Sequence, residues 1–320
     1  MPFFTRVLLT LAITCCAAAP AIAQDYPSKP IKIIAAFGPG SASDLAGRAF
    51  AKFLQEKLKQ AVVVENRAGA NGLIGTEAIA QAAPDGYTLG IATNSTIAAA
   101  PLLYKKLGYD PLASFEHIGL FGTMASVAVV PPSSPFRTLS DLVGYAKANP
   151  GKLNFAFSDT SSRMPAELLA ATAAIEIEGV PYKTVGNALT DVMGEQVHFM
   201  FVNYLSGKPH VAGGKLRALA VTELRRGKVF PAVPAVAETY PGFEAHGFLG
   251  LVAPKGTAKP ILTRLNAALR EAQQTPWFRE LMENAGTALI STTPEQYQTF
   301  LGQEMTRWRD YARRAKIEPQ

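Results

Sequence analysis

The sequence predicts an α/β protein of two domains, each a mainly parallel sheet flanked by helices. Three observations predict it. Apolar strand-like runs alternate with helical runs, the pattern of βαβ units. The first strand, Ile31 to Phe37, passes through Gly38-Pro39-Gly40-Ser41-Ala42-Ser43-Asp44 into a helical run from Leu45 to Leu58, where Leu45, Ala49, Phe53, Leu54 and Leu58 recur near the helical period. The same order of strand, polar loop and helix starts again at Leu153.

The N-terminus reads as an export signal. Residues 1–23 hold one early Arg6, an apolar core from Val7 to Ala19 and a small-residue exit at Ala21-Ile22-Ala23, so cleavage is expected before Gln24. The apolar stretch is short and Ala-rich for a membrane span. Both cysteines, Cys15 and Cys16, fall inside it and lack the small-residue context of a lipoprotein signal. The mature chain then has no disulfide and depends on its hydrophobic core.

Removing 23 of the 320 residues leaves 297, a length that suits two domains. Loss of Arg6 lowers the formal net charge from +6 to +5. Basic residues are scattered apart from Arg225-Arg226 with Lys228 and Arg313-Arg314 with Lys316. No basic block is interleaved with aromatics, which argues against a nucleic-acid partner. A mild positive balance suits a small organic anion. The expected protein is soluble, exported to the periplasm and monomeric.

In order, Ala61 to Asn66 reads as a buried strand, Arg67 to Gly72 as a Gly-rich turn and Leu73 to Ala82 as a helix. Pro84-Asp85-Gly86 turns the chain into a third strand, Tyr87 to Ala92, and then a polar loop, Thr93 to Thr96. Ile118 to Phe121 and Val127 to Pro132 read as a transition between domains. The second unit has the strand Leu153 to Phe157, the polar loop Ser158-Asp159-Thr160-Ser161-Ser162-Arg163 and a helix from Met164 to Ala174. A short helix from Gly186, a strand from Val197 to Val202, a helical segment from Tyr204 and a strand from Leu216 to Val221 follow. Phe248 to Ala253 reads as a strand returning to the first domain. Three helices close the chain, the last with Tyr297, Phe300, Leu301, Met305, Trp308 and Tyr311 on one packing face. The expected boundaries are 1–23 for the signal, 24–124 plus 246–320 for domain one and 125–245 for domain two.

The chemistry is concentrated in the polar loops. A strand, Gly/Ser-rich turn and helix bring free N–H groups to one point, where the helix dipole favours negative charge. Gly40 lets the backbone approach a guest, and Ser41 and Ser43 offer hydroxyls. The same residues also read as a plain capped turn. Loops at the carboxyl ends of parallel strands face one crevice, so Gly38 to Ser43 and Thr93 to Thr96 should meet there. Asp44 reads as a helix cap or first-turn acid, or as a contact to a ligand ammonium or hydroxyl. Arg163 reads either as a partner for a carboxylate or as a solvated surface residue.

Other chemistries lack their motifs. A dinucleotide fingerprint fails because Ser43 replaces its third glycine, and no Gly-Lys-Ser/Thr completes a phosphate loop. There is no Gly-x-Ser-x-Gly elbow. His117, His198, His210 and His246 are scattered, without metal-ligand spacing. His198 reads as a core histidine, and His246 as a residue that could line the cleft. No catalytic residue, metal or cofactor is expected.

The chain resembles the substrate-binding proteins of tripartite tricarboxylate transporters, the TctC or Bug family, over essentially all of its mature length. The resemblance lies in Tyr26-Pro27-Ser28-Lys29-Pro30-Ile31, in Phe37-Gly38-Pro39-Gly40 with Asp44, and in Val62 to Arg67 with Gly69. Ala83 to Thr88, Val180-Pro181-Tyr182-Lys183 and Gly214 to Val221 match further on. It implies a two-domain type II periplasmic binding protein of the Venus-flytrap kind, without enzymatic activity. Such a protein would hold a carboxylate on backbone amides and hydroxyls of two facing loops. Carried over, it implicates Gly40, Ser41, Ala42, Ser43 and Asp44 in domain one and Ser158, Asp159, Thr160, Ser161 and Ser162 in domain two, flanked by Asn94 and Tyr182. Membrane transporter subunits or a sensor kinase are the implied partners. The first loop departs from the family's usual Pro-Pro-Gly-Gly-Gly, the second is poorer in Gly and Asn, and Val202 stands near a usual acidic position. Asp159 would repel a carboxylate unless turned away, and Arg163 could compensate. The rival reading from another class is a secreted α/β enzyme acting on a small carboxylate.

Overall fold

The computed structural model describes residues 26–314 and 319. The proposed export signal lies outside the described residues.

Three β-branched segments assemble first in space: β1 (Ile31–Ala35), β2 (Val62–Asn66) and β3 (Thr88–Thr93). They pair in parallel with β1 central, aligning Ile33 with Val64 and with Leu89. Parallel neighbours need crossovers, supplied by helices α1 (Ala42–Leu58) and α2 (Leu73–Ala80). α1 buries Ala46, Phe50 and Leu54 against Ile33, Leu89 and Ile91. Burying one such large apolar side chain contributes about 1.5–3 kcal/mol, so this face fixes the helix.

The expected transition region is one strand instead. β4 (Phe115–Val130) runs 16 residues without a break, and both halves of the sheet hang on it. Its first part pairs antiparallel with β9 (His246–Pro254) and β10 (Thr287–Leu289). Its last part pairs antiparallel with β7 (Phe199–Asn203) and β8 (Arg217–Val221). β9 also pairs antiparallel with β3, which joins the parallel triple to β4. Pairing shifts register between His117 and Gly119 and again between Leu120 and Gly122. Such bulges bend a strand and free backbone groups. Two amides of α7 (Lys259–Ala272) and its C-cap occupy the freed carbonyls: Asn266 Nδ2 donates to Ile118 O at 2.7 Å, and Gln273 Nε2 to Leu120 O and Phe121 O at 3.0 Å each.

The second half repeats the first. β5 (Leu153–Phe157) pairs in parallel with β6 (Ile177–Pro181) and β7. Helix α3 (Leu139–Ala148), which the sequence reading passed over, opens on a capping box between Thr138 and Asp141. α4 (Thr160–Ala173) begins inside the segment expected to be a loop. α5 (Val185–Met193) and α6 (Tyr204–Ala212) complete the layer and bury Leu189, Val192 and Tyr204 with Val127 and Val202. β9 then returns to the first half as expected. α7, α8 (Pro276–Asn284) and α9 (Pro294–Arg314) close it, with Tyr297, Leu301 and Trp308 of α9 in the core. In the second half, four of its five strands run one way against β4. No described helix is long and apolar enough to cross a membrane.

Candidate functional site

The first wall is set by the start of α1. Ser41 caps it, its Oγ accepting from Asp44 N at 3.3 Å, and Gly40 takes φ +79, a backbone that favours glycine. Asp44 is buried and faces inward to its own loop. Its Oδ2 accepts from Gly40 N at 3.0 Å; its Oδ1 accepts from Arg48 Nε at 2.9 Å and Asn66 Nδ2 at 3.0 Å. Burial alone would raise this carboxyl, but the Arg48, Gly40 and Asn66 hydrogen bonds outweigh it and hold its pKa below the usual carboxylate range. Asp44 therefore stiffens the loop.

β3 delivers the second part of this wall. The expected polar loop is a π-helical turn, Asn94–Ala99, capped at Thr93 by a reciprocal box with Thr96. Asn94 and Ser95 are fully buried, and Asn94 Nδ2 and Ser95 Oγ have no hydrogen-bond partner among the described residues. Gly247 on β9 leaves the room: a Cβ there would meet Asn94 Oδ1 at 2.9 Å.

The opposing wall starts α4. Asp159 caps it, Oδ1 accepting from Ser162 N at 2.9 Å and Ser162 Oγ at 3.0 Å. Burial at the cleft pushes the Asp159 carboxyl up from its ordinary value, and the hydrogen bonds from Ser162 only partly offset this. Asn203 caps α6 by accepting from Ser206 N at 2.9 Å. Two hydrogen bonds join the walls: Asn71 Nδ2 donates to Thr160 Oγ1 at 2.6 Å, and Ser161 Oγ to Asn94 Oδ1 at 3.4 Å.

Between the walls lies a cleft of about 80 Å³. The starts of α1, the π turn, α4, α5 and α6 all reach it, through Ser41 to Ser43, Thr93 to Ser95, Asp159 with Ser161, Val185, and Asn203 with Ser206. Phe37, Met124 and Leu249 supply apolar surface, and no Lys, Arg or His lines it among the described residues. Five helical starts thus border one small volume, and the N–H groups and dipole end of a helix start favour negative charge.

Of the residues singled out from the sequence, Ser41, Ala42, Ser43, Asn94, Asp159 and Ser161 line this cleft. Gly40, Asp44, Ser158, Thr160 and Ser162 lie behind them and hold the loops. Arg163 does not line it: its Nε donates to Glu167 Oε1 at 2.6 Å and its guanidinium lies over Phe157. Tyr182 is engaged elsewhere too, its OH donating to Asp191 Oδ2 at 2.8 Å; burial and Asp191 push that phenol up to about 12. His246 lines a different cavity, of about 350 Å³, with Arg307 and Trp308. Asn203 and Ser206 were missed. An Asn that ends a strand just before a helical run is a helix-start signal, and it could have found them.

The family described as "Tripartite tricarboxylate transporter family receptor" matches residues 46–316. The chain belongs to this receptor family. The receptor is 37% identical to Protein BugT of Bordetella pertussis over 311 residues, covering 95% of each chain. Its structure resembles that of R. palustris Rpa4515 with adipate, at a TM-score of 0.89 and 29% identity, covering 92% of this chain and 100% of that one. It resembles the periplasmic binding protein BugD at 0.85 and 32%, covering 92% and 100%. The receptor thus has the α/β fold of periplasmic solute-binding proteins, and its relatives are binding proteins.

Proposed function

We propose that this receptor is exported, loses its signal near Ala23 and works in the periplasm as a monomer that traps a small organic anion. Two lobes, 24–124 with 246–320 and 125–245, close over a carboxylate of the guest, and the closed form is presented to membrane transporter subunits or a sensor. The guest is bound and released unchanged. The observation that carries this reading is the pair of buried donors without partners, Asn94 Nδ2 and Ser95 Oγ, set among five helical starts. A buried donor left unpaired costs about 1–3 kcal/mol, and an incoming carboxylate removes that cost. Each helix-end contact to an anion contributes roughly 0.3–2 kcal/mol, so several together reach the about 8 kcal/mol of micromolar binding. Adipate in the Rpa4515 structure supports the carboxylate class. Closure follows because a guest touching both walls binds the closed form more tightly.

The experiment is a thermal-shift screen of ligand-stripped protein against mono-, di- and tricarboxylates, amino acids and neutral analogues. A ligand at about 100 times its Kd stabilises by roughly 2.7 kcal/mol. Shifts confined to carboxylates support the reading. Shifts from neutral analogues alone refute it.

A further inference from the structure

The described lining of the cleft is neutral, with one exception. Hydroxyls of Ser41, Ser43, Ser95 and Ser161 and the amide of Asn94 line it, yet so does the carboxylate of Asp159, the only ionisable side chain lining it among the described residues. Asp159 Oδ1 accepts from Ser162 N at 2.9 Å and from Ser162 Oγ at 3.0 Å, and the Ser158 hydroxyl and Ser161 N–H also stand beside the carboxylate, whose Oδ2 is the oxygen these two bonds leave for a guest. Ser161, two residues on, reaches Asn94 Oδ1 across the cleft at 3.4 Å. The Asp159 carboxylate and the unpartnered donors of Asn94 and Ser95 therefore line one volume of about 80 Å³.

A guest that offers only carboxylate oxygens would set like charges together in that volume, with no lysine or arginine among the described residues lining it to separate them. A guest with a hydroxyl or ammonium beside its carboxylate satisfies both demands. Its carboxylate takes the N–H and O–H donors, and its own donor goes to Asp159 Oδ2 as a charge-assisted hydrogen bond. Helix capping alone does not require the acid, because Asn and Ser cap as well as Asp. Resting on the carboxylate reading above, we propose that Asp159 is a specificity-determining residue that selects small carboxylates bearing a hydroxyl or ammonium on the neighbouring carbon.

Calorimetric titration of matched acids differing only by hydrogen, hydroxyl or ammonium at that carbon tests it: propionate, lactate and alanine, then succinate, malate and aspartate. The wild-type protein should bind the hydroxy or amino member of a set at least tenfold more tightly than the plain acid. Asp159→Asn should cut that gap to threefold or less by weakening the substituted acid and strengthening the plain one. Asp159→Ser, a second capping side chain without charge, should do the same if the Asn variant folds poorly. Equal wild-type affinities within each set, or an unchanged gap in both variants, overturn the selectivity while the anion site stands. Failure of every acid to bind the wild-type protein overturns the anion reading itself, and the selectivity with it.

Discussion

Asn71 Nδ2 donates to Thr160 Oγ1 at 2.6 Å, a bond between residues 89 positions apart that ties the turn before α2 to the first residue of α4. Asn71 holds a left-handed backbone, φ 53 and ψ 36, which Asn and Gly tolerate best. The bond joins the two walls, so on the proposed closure it would act as a latch. Asn71→Gly keeps the backbone and deletes the latch. A neutral hydrogen bond contributes about 0.5–1.5 kcal/mol, so ligand affinity should fall roughly two- to tenfold. Thr160→Val should do the same, and the double variant should be no worse than either single one. Calorimetry on the three variants checks this, and additive losses would mean that the two side chains act separately.

Ser95 makes two predictions of opposite sign, one for stability and one for affinity. Ser95 Oγ is buried without a partner, so Ser95→Ala should leave the ligand-free protein as stable or up to about 1 kcal/mol more stable. The same change should cost at least tenfold in affinity for the guest. Melting temperatures of the stripped protein, paired with titrations, give both readings.

Asp159 should make stability fall as pH rises. Burial raises its folded pKa above the unfolded value, so the folded state keeps its proton longer than the unfolded chain does. Its contribution is fully present below the unfolded pKa and is lost as pH rises through the folded one. Asp159→Asn should therefore be more stable than wild type at neutral pH and indistinguishable from it in strong acid. Urea midpoints at several pH values, on stripped protein, test the sign. A variant less stable at neutral pH would show the charge to be favourable where it stands.

Asp44 predicts the reverse. Its folded pKa is lowered, so its contribution is present above the unfolded value and fades as pH falls through the folded one. Asp44→Ala deletes hydrogen bonds to Gly40 N, Arg48 and Asn66 at once. Arg48 is more than half exposed, which weakens that member of the set, and the loss should be about 2–3 kcal/mol. Affinity should drop as well although Asp44 does not line the cleft, because the loop from Gly38 to Ser43 loosens. Unfolding and titration of the variant separate the two effects.

The repeated order of strand, loop and helix, and the return of β9 to the first half, were legible because hydrophobic period and Gly/Ser turns are local signals. β4 was not. Its bulges at Gly119 and Gly122 break the alternation, and their carbonyls are satisfied by Asn266 and Gln273 from far along the chain. The polar run after β5 read as a loop because Thr160, Ser161 and Ser162 are poor helix formers, yet Asp159 with Ser162 caps a helix there. Ser41, Asn94 and Ser161, which line the cleft, were legible from the turns that carry them. His246 was not correctly placed, because which side of the return crossing faces the cleft depends on how α9 packs, and α9 puts Arg307 against it.

The most direct test of the anion-binding cleft is a calorimetric titration of stripped protein with the best-binding carboxylate and with its primary amide. The account predicts micromolar binding of the acid, loss of at least tenfold for the amide, and a similar loss for the acid in Ser95→Ala. Equal affinity for acid and amide, unmoved by Ser95→Ala, would contradict it.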